Sequence, residues 1–473
     1  MLYCIACHGD LIKPAPDLWK CSDCGRPYPS INGVDVLVLP DAISSLPAYL
    51  RELDDTKAEF SAISASLSAS VKADGALAAR IARSQSGMSA NLEFLEAVYR
   101  PIADFVQTHR HHDGGFAANP LKSGYTGDHM LPYFYQDWCG VAGYEAVKNL
   151  VSQALAAHSP DRDELAVLGA GACGLLHSAA GYFQVSYGVD LSLPALLMAK
   201  TLIEGTPLRF RLKEANWQSV TIAPPAPAAT EIRFVSADVM ALPFKSGSLS
   251  AVVSPYLLDI VSNAEWFAQE IHRVLKPEGV WVNFSKPFNV QGPAELGRYR
   301  LAELPDYFSR LGFVVEHMEC RRFTPFNLAA IDAETDNTDD VVHFFTLRKN
   351  GQPMSVRESR PVSRFFTAND AVWHEIPRVI KGREAAFFQK RPLNDQDQSL
   401  WINVMGKFIA VPTDLALLLE ALFALMDGER SLKDLFLIFQ GRGMALTEAQ
   451  FLVLMDCLNR QYALIDLQEA VGS

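Results

Sequence analysis

The sequence predicts an α/β fold in which a mostly parallel sheet is covered by helices on both faces. First, an apolar strand at 165–168 runs into a glycine-rich loop and then into an apolar helix. Second, strand and helix patterns alternate from there to about residue 350, which favours a parallel sheet. Third, 473 residues with 49% hydrophobic and 20% charged side chains suffice for a large core and about three domains.

Net charge and hydropathy limit the partners that are expected. The formal charge is −12, whereas nucleic-acid-binding proteins usually carry a basic surplus, so RNA or DNA is not expected as the main ligand. No apolar run reaches the length of about 18 residues that a membrane helix needs. The N-terminal stretch MLYCIACHGD lacks the regions of a signal peptide, and the cysteine pattern suits a reducing compartment. A cytoplasmic location is therefore expected.

Residues 1–42 are predicted to form a small metal-binding module. They contain two Cys-x-x-Cys pairs, formed by Cys4, Cys7, Cys21 and Cys24. Each pair brings two thiolates to one side of a turn, and two pairs make a tetrahedral cage that suits zinc. Asn32-Gly33 between apolar runs predicts a hairpin. Because so short a segment buries little core, metal binding is expected to fold it, in a structural role.

Residues 43–150 are predicted to form a helical cap with a lid. Apolar residues recur at near-helical spacing over 46–60 and 92–99. The aromatic and polar stretch at 124–138 is interpreted either as a buried structural loop or as a lid over a ligand. His109, His111 and His112 are interpreted as loop residues, since no carboxylate or cysteine spacing supports a metal site there.

The motif LAVLGAGACG at 165–174 predicts a nucleotide-binding loop. Glycine at 169, 171 and 174 allows the backbone to turn sharply and to approach a ligand closely. The pattern alone also fits dinucleotide-binding proteins. The next strand ends in Asp190, where a carboxylate can accept hydrogen bonds from both ribose hydroxyls of a nucleoside.

The following segments complete a sheet that the sequence predicts to have seven strands. A third strand ends near Asp238 and a fourth near Ser254. The fifth follows a Lys-Pro-x-Gly turn at 276–279, and two more lie at 312–323 and 341–349. Dinucleotide dehydrogenases have no need of an Asp at the third strand end followed by ALPF, whereas enzymes that use S-adenosyl-methionine have one that reads the adenine amino group.

Together these motifs resemble the class I S-adenosyl-methionine-dependent methyltransferases over residues 160–350. The motifs are GAGACG, GVDLS, SADVMALPF, SPYLLDIV and RVLKPEGVWV. The resemblance implies a Rossmann-like methyltransferase domain at 151–350. The chain departs from the family at Val167, where an acidic residue is usual, and at Cys173, where a glycine is usual. The implied cofactor-binding residues are Gly169, Gly171, Asp190, Leu191, Asp238, Val239 and Ser254.

Residues 45–325 also resemble, more distantly, the carnosine N-methyltransferase branch, in which both departures recur. The stretch YFYQDW at 133–138 is similar to the lead-in to its cofactor site, with Gln136 where an arginine is common. The resemblance implies that Asp259 orients or deprotonates the acceptor, with Tyr256 beside it. A plain helix-stabilising role remains the alternative for Asp259.

Residues 1–40 resemble the small zinc-ribbon proteins that activate methyltransferases. The matching residues are Cys4, Cys7, Cys21, Cys24, Gly25, Arg26, Tyr28, Pro29, Asn32 and Gly33. At the other end, residues 361–473 follow a polar linker and are predicted to form a winged-helix-like domain. Its 11 basic against 14 acidic residues weaken a role in DNA binding. A protein partner, a dimer contact or a structural cap are the expected roles.

Three hypotheses for function follow. The first is methyl transfer from S-adenosyl-methionine to a nitrogen of a small molecule or peptide, possible acceptors including an imidazole. The second keeps the chemistry but takes tRNA or rRNA as substrate, as the zinc-ribbon resemblance suggests and the net charge opposes. The third is a non-catalytic S-adenosyl-methionine-binding regulator, which the intact glycines and both strand-end aspartates disfavour.

Overall fold

The fold was analysed in a computed structural model of the chain. The structure describes residues 2–38, 42–69, 75–109, 127–213, 216–261, 263–289, 297–323, 340–351, 373–379, 388–394, 397–404, 407–410, 419, 421–442, 448–456, 458–459 and 465–468. The predicted roles of His111, His112, Gly406 and most of the linker at 349–361 fall outside these residues.

The N-terminal unit, residues 2–38, consists of four short antiparallel strands. They are β1 (Leu11–Ala15), β2 (Leu18–Cys21), β3 (Pro27–Ile31) and β4 (Val34–Leu37). The predicted hairpin at Asn32-Gly33 is confirmed, because both residues adopt the left-handed φ values (+48° and +79°) that a two-residue turn requires. The Trp19 indole donates to Asp35, which fixes β2 against β4.

Residues 42–158 are helical, as predicted. The helices are α1 (Ala42–Ala69), α2 (Gly75–Thr108), α3 (Leu131–Trp138) and α4 (Ala142–His158), with a 3₁₀ turn at Gly127–Met130. The two long helices pack on each other, and their buried side chains join the main core. Although both are long, no helix in the described parts of the chain is apolar enough to span a bilayer.

The centre of the molecule is an α/β unit, as the strand and helix alternation predicts. Its elements are β5 (Glu164–Leu168), α5 (Gly174–Ala180), β6 (Val185–Asp190), α6 (Leu193–Ile203), β7 (Leu208–Leu212), β8 (Gln218–Ile222), β9 (Glu231–Ala237), β10 (Leu249–Pro255), α7 (Ala264–Val274), β11 (Leu275–Ser285), α8 (Leu304–Arg310), β12 (Phe313–Phe323) and β13 (Asp340–Lys349).

The main sheet has the order β1-β2-β3-β4-β9-β6-β5-β10-β11-β13-β12. Pairing is parallel from β4 to β11 and antiparallel at both ends. The sequence predicts seven strands, but the sheet has eleven, because β4 pairs in parallel with β9 and brings the whole N-terminal unit into the sheet. The carboxyl ends of the parallel strands meet at one edge, where ligands bind in open α/β sheets.

A hairpin of β7 and β8 lies between α6 and β9, where the sequence predicts no strand. It forms a sheet of its own and contacts α2. Asn91 of α2 holds it by two bonds: its amide donates to the Arg211 carbonyl at 2.9 Å and accepts from the Arg211 N–H at 2.7 Å. The hairpin therefore ties the helical segment to the α/β unit.

The C-terminal part has a hydrophobic core of its own. Its elements are β14 (Ile376–Val379), β15 (Phe388–Asn394), β16 (Asp397–Val404), β17 (Lys407–Ala410), α9 (Leu432–Gly441), α10 (Glu448–Asp456) and β18 (Ile465–Gln468). Strand β18 pairs with β14, and β16 pairs with β15 and β17. The winged-helix-like arrangement stays a prediction.

Candidate active site

The glycine-rich loop joins β5 to α5 at the carboxyl edge of the sheet. Gly169 and Gly171 adopt left-handed backbone conformations, with φ of +66° and +50°. Cys173 also does so, at φ +63°, although it is buried and carries a side chain. A side chain in this conformation costs about 1–2 kcal/mol. The loop therefore keeps its shape at the family's third glycine position despite the cysteine.

Asp190 lies at the end of β6 and is bonded to the glycine-rich loop. One carboxylate oxygen accepts from the Gly171 N–H at 2.8 Å, and the other accepts from the Ser192 N–H at 2.8 Å. Burial raises the pKa of this carboxyl and outweighs the opposing effect of the two N–H donors. Because each carboxylate oxygen can accept a second hydrogen bond, Asp190 can hold the loop and still receive two ribose hydroxyls.

The neighbouring strand ends complete the nucleoside side of the site. Asp238 is 8% exposed, and its carboxylate accepts from the Met240 N–H at 2.9 Å. Val239 beside it is also buried. The carbonyl of Leu191 accepts from the Tyr49 hydroxyl at 2.7 Å. Sequence reasoning treats Tyr49 only as a core residue of α1, because helical spacing reveals burial but not the target of a hydroxyl.

Helix α3 packs directly on the glycine-rich loop. The Trp138 indole donates to the Ala172 carbonyl at 2.9 Å. The carboxylate of Asp137 accepts from the Gly174 N–H at 2.9 Å, and burial raises the pKa of this carboxyl to about 7. Gln136, the predicted cofactor ligand, is half-buried beside it. Sequence reasoning missed Asp137, although it lies in the same YFYQDW stretch.

The segment after β10 lies over the glycine-rich loop. Tyr256 has a left-handed backbone, with φ +47°, and its N–H donates to the Phe284 carbonyl at 2.5 Å. The Leu257 side chain is 3.3 Å from the position that a Cβ on Gly169 would take. Asp259 is half-buried in the same segment. The strained Tyr256 backbone thus brings this segment close to the loop.

Ser254, at the end of β10, is oriented differently from the prediction. It is fully buried, and its hydroxyl accepts from the Trp281 indole at 2.8 Å. The Asn283 amide lies 2.8 Å from the same hydroxyl. The side chain therefore bonds within the sheet, and its main chain is the part that remains for a ligand.

A buried ion pair fixes the loop that follows Asp238. Glu270 of α7 is fully buried, and its carboxylate accepts from Arg273 at 2.6 and 2.8 Å and from the Leu242 N–H at 2.7 Å. Arg273 in turn donates to the carbonyls of Leu242 and Phe244. Its guanidinium also lies 5.4 Å from the Tyr3 ring centre, so the pair links this loop to the N-terminal unit.

The four predicted cysteine ligands come together in the N-terminal unit. Their sulfur atoms all lie within 4.8 Å of one another. The sulfur atoms of Cys4 and Cys24 are 3.7 Å apart, and those of Cys7 and Cys21 are 3.4 Å apart. A buried Tyr28 hydroxyl lies 3.1 Å from the Cys4 sulfur. The arrangement is a sulfur cage of the predicted kind.

Comparison with known proteins gives one family match. Residues 166–282 match the family described as methyltransferase domain, a stretch that includes the glycine-rich loop, Asp190, Asp238 and the segment after β10. No curated protein matches the chain.

Solved structures similar to the chain include two with functional descriptions. Phosphoethanolamine N-methyltransferase 2 of Haemonchus contortus, in complex with S-adenosyl-L-methionine, is 16% identical, with 48% of this chain and 58% of that chain covered and a TM-score of 0.33. A chain from the complex between the Haloferax volcanii Trm112 methyltransferase activator and a methyltransferase is 17% identical, with 43% and 89% covered and a TM-score of 0.30.

The family match covers the part of the chain in which the glycine-rich loop and two strand-end carboxylates form a nucleoside-binding edge. This arrangement is that of a class I methyltransferase domain. The protein is an S-adenosyl-methionine-dependent methyltransferase.

Proposed function

We propose that the protein transfers a methyl group to a nitrogen atom of a small molecule or peptide. The observation that carries this proposal is the position of the segment 256–259, which holds Tyr256 and Asp259 and lies against Gly169. The bound cofactor supplies a methyl group that is already activated on its sulfonium. The protein then has to align the acceptor and exclude water.

The cofactor is proposed to lie along the carboxyl edge of the sheet. Asp190 would accept hydrogen bonds from the ribose hydroxyls, and Asp238 from the adenine amino group. The backbone of the glycine-rich loop would contact the amino-acid part, with α3 covering it. The residues proposed to contact the cofactor are Gly169, Gly171, Asp190, Leu191, Asp238, Val239, Ser254 and Gln136.

The acceptor class is tested with labelled cofactor. Protein incubated with cell extract and methyl-labelled S-adenosyl-methionine is expected to place the label in small metabolites or peptides, resolved by mass spectrometry. Label found in RNA would contradict the proposed acceptor while leaving the methyltransferase activity in place. The −12 net charge supports the small-molecule or peptide outcome.

Asp259 is proposed to orient the acceptor nitrogen or to take its proton. With the acceptor from the extract experiment, Asp259→Asn is expected to lower turnover by roughly 10²-fold or more, the scale of general-base catalysis. Cofactor affinity should stay nearly unchanged, because Asp259 would not contact adenosine. A matched control is Asp306→Asn, which changes an exposed carboxylate in the first turn of α8. Normal turnover of Asp259→Asn would leave this residue a helix-stabilising role only.

The N-terminal unit is proposed to bind one structural zinc ion, as its zinc-ribbon resemblance implies. Four sulfur atoms around a tetrahedral zinc with bonds of about 2.3 Å lie about 3.8 Å apart. The distances of 3.7 and 3.4 Å in the cage support this fit. The ligands would be Cys4, Cys7, Cys21 and Cys24, and four thiolates leave no open position for a substrate.

Metal analysis tests this proposal. About one zinc ion per chain is expected in the intact protein, because four thiolate ligands bind zinc tightly. Cys21→Ser should lose most of the metal and lower the thermal stability. The exposed Cys139→Ser is the matched control and should keep both. A Cys21→Ser variant that retains zinc and stability would contradict the assignment.

The remaining predictions also stand as proposals. The C-terminal region, residues 361–473, is proposed to be a winged-helix-like domain that binds a protein partner or a second copy of the chain. A reducing, cytoplasmic environment is proposed because the zinc ligands must stay as thiolates.

A further inference from the structure

A buried carboxylate lies at the glycine-rich loop, in addition to Asp190. Asp137 is only 4% exposed, and its carboxylate oxygen is 2.9 Å from the Gly174 nitrogen. A Cβ on Gly174 would lie 2.7 Å from the Asp137 Cβ. The last glycine of the loop is therefore required for the close approach of Asp137, which makes the contact a specific feature of this sequence.

Asp137 stands near the position that Val167 leaves without a carboxylate. Val167 is fully buried in β5 and has only an apolar side chain to offer. The carboxylate from α3 reaches the opposite end of the same loop, so the loop has one acidic group at Gly171 and another at Gly174. These two backbone positions lie at most about 11 Å apart, a span that a nucleoside with an amino-acid extension can cover.

The groups around Asp137 mark the side of the loop that faces the segment after β10. Tyr144 of α4 hydrogen bonds to Asp137 and interacts electrostatically with Tyr256. The buried Cys173 thiol feels both Asp137 and Asp190, so it lies between the two carboxylates. Asp137 is therefore close to the nucleoside end of the site and to the proposed acceptor end.

Lys148 stands beside Asp137, but its ammonium has other partners. It donates to the main-chain carbonyl of Asp137 at 2.5 Å and to the Glu145 carboxylate at 2.8 Å. Burial raises the pKa of the Asp137 carboxyl to about 7 despite the Gly174 N–H and Lys148, which both lower it. A buried carboxylate in this situation is stabilised by a further cation placed against it.

We propose that the Asp137 carboxylate binds the α-ammonium group of the methionine part of S-adenosyl-methionine. This proposal rests on the proposed cofactor contacts and adds the group that recognises the amino-acid end. Asp190 then fixes the ribose and Asp137 fixes the ammonium, one at each end of the loop. The chain supplies from α3 the acidic group that it lacks at residue 167.

Three ligands separate this role from a structural one. S-Adenosyl-homocysteine carries adenosine, the ammonium and the carboxylate. Its deaminated analogue, 5′-S-(3-carboxypropyl)-5′-thioadenosine, keeps the carboxylate but lacks the ammonium. 5′-Methylthioadenosine lacks the whole amino-acid part. Calorimetry of the full chain with each ligand measures the share of the affinity that the ammonium contributes.

The wild-type protein is expected to bind S-adenosyl-homocysteine at least about 10-fold more tightly than the deaminated analogue, the scale of one charged hydrogen bond. Asp137→Asn keeps an oxygen for the Gly174 N–H but loses the charge. It should bind both ligands with similar affinity, while its affinity for 5′-methylthioadenosine should stay within about twofold of the wild type. Asp163→Asn, at the amino end of β5, is the matched control and should preserve the wild-type preference.

The alternative outcomes are distinct. An Asp137→Asn variant that still prefers S-adenosyl-homocysteine would overturn the proposal. An equal loss of affinity for all three ligands would also overturn it, because Asp137 would then only hold the loop in shape. If the wild-type protein bound none of the three ligands, the proposed cofactor contacts themselves would fail.

Discussion

Asp190→Ala is expected to lower the affinity for S-adenosyl-homocysteine by roughly 100-fold or more. Two hydrogen bonds from ribose hydroxyls to a carboxylate would be lost, each contributing about 1.5–3 kcal/mol. The variant also removes the acceptors of the Gly171 and Ser192 N–H groups, so the loop loses its anchor on β6. Isothermal titration calorimetry measures the effect directly.

A thermal melt without ligand separates the two contributions of Asp190. A variant that melts near the wild-type temperature but binds weakly has lost the ribose contacts themselves. Asp161→Ala is a suitable control, since this carboxylate precedes β5 and pairs with Lys276. Unchanged affinity in Asp190→Ala would remove Asp190 from the cofactor site.

Glu270→Ala is expected to lower the free energy of unfolding by about 3–5 kcal/mol, the usual effect of breaking a buried ion pair. The Arg273 side chain is 19% exposed and would keep a charge without its carboxylate partner. The Leu242 N–H would lose its acceptor as well. Because these contacts fix the loop after Asp238, cofactor affinity should fall together with stability.

Urea denaturation, followed by intrinsic fluorescence, measures the stability change. The control is Glu231→Ala, which removes a solvent-exposed ion pair with Arg233 and should cost less than about 1 kcal/mol. If Glu270→Ala unfolded at the same urea concentration as Glu231→Ala, the buried pair would have no special weight.

The sequence predicts the central α/β unit well because its signals are local. Apolar runs at 165–168, 185–190 and 249–255 all form parallel strands, and the Asn32-Gly33 turn closes its hairpin. The β7–β8 hairpin was missed because its strands are short and lie in a segment with mixed polarity. The union of β4 with β9 was missed because strand pairing between distant parts of a chain leaves no local periodicity.

The site is predictable where a motif states both the residue and its backbone position. The glycine-rich loop and Asp190 are of this kind, and the structure brings them within hydrogen-bonding distance. Asp137 and Tyr49 come from helices outside these motifs, and only tertiary packing directs them to the loop and to Leu191. The orientation of Ser254 into the sheet likewise depends on Trp281 across the strand pair.

The parallel pairing of β4 with β9 has a consequence for how the chain acquires its fold. The N-terminal unit is synthesised first, yet its outer strand is completed only when a strand from the middle of the chain exists. Until then, β4 presents an open edge that can recruit other chains. Non-local pairing of this kind is slow to form. Truncation of the first 38 residues would in turn leave β9 as a bare edge, so such a shortened protein is expected to aggregate during refolding rather than simply to lose its metal.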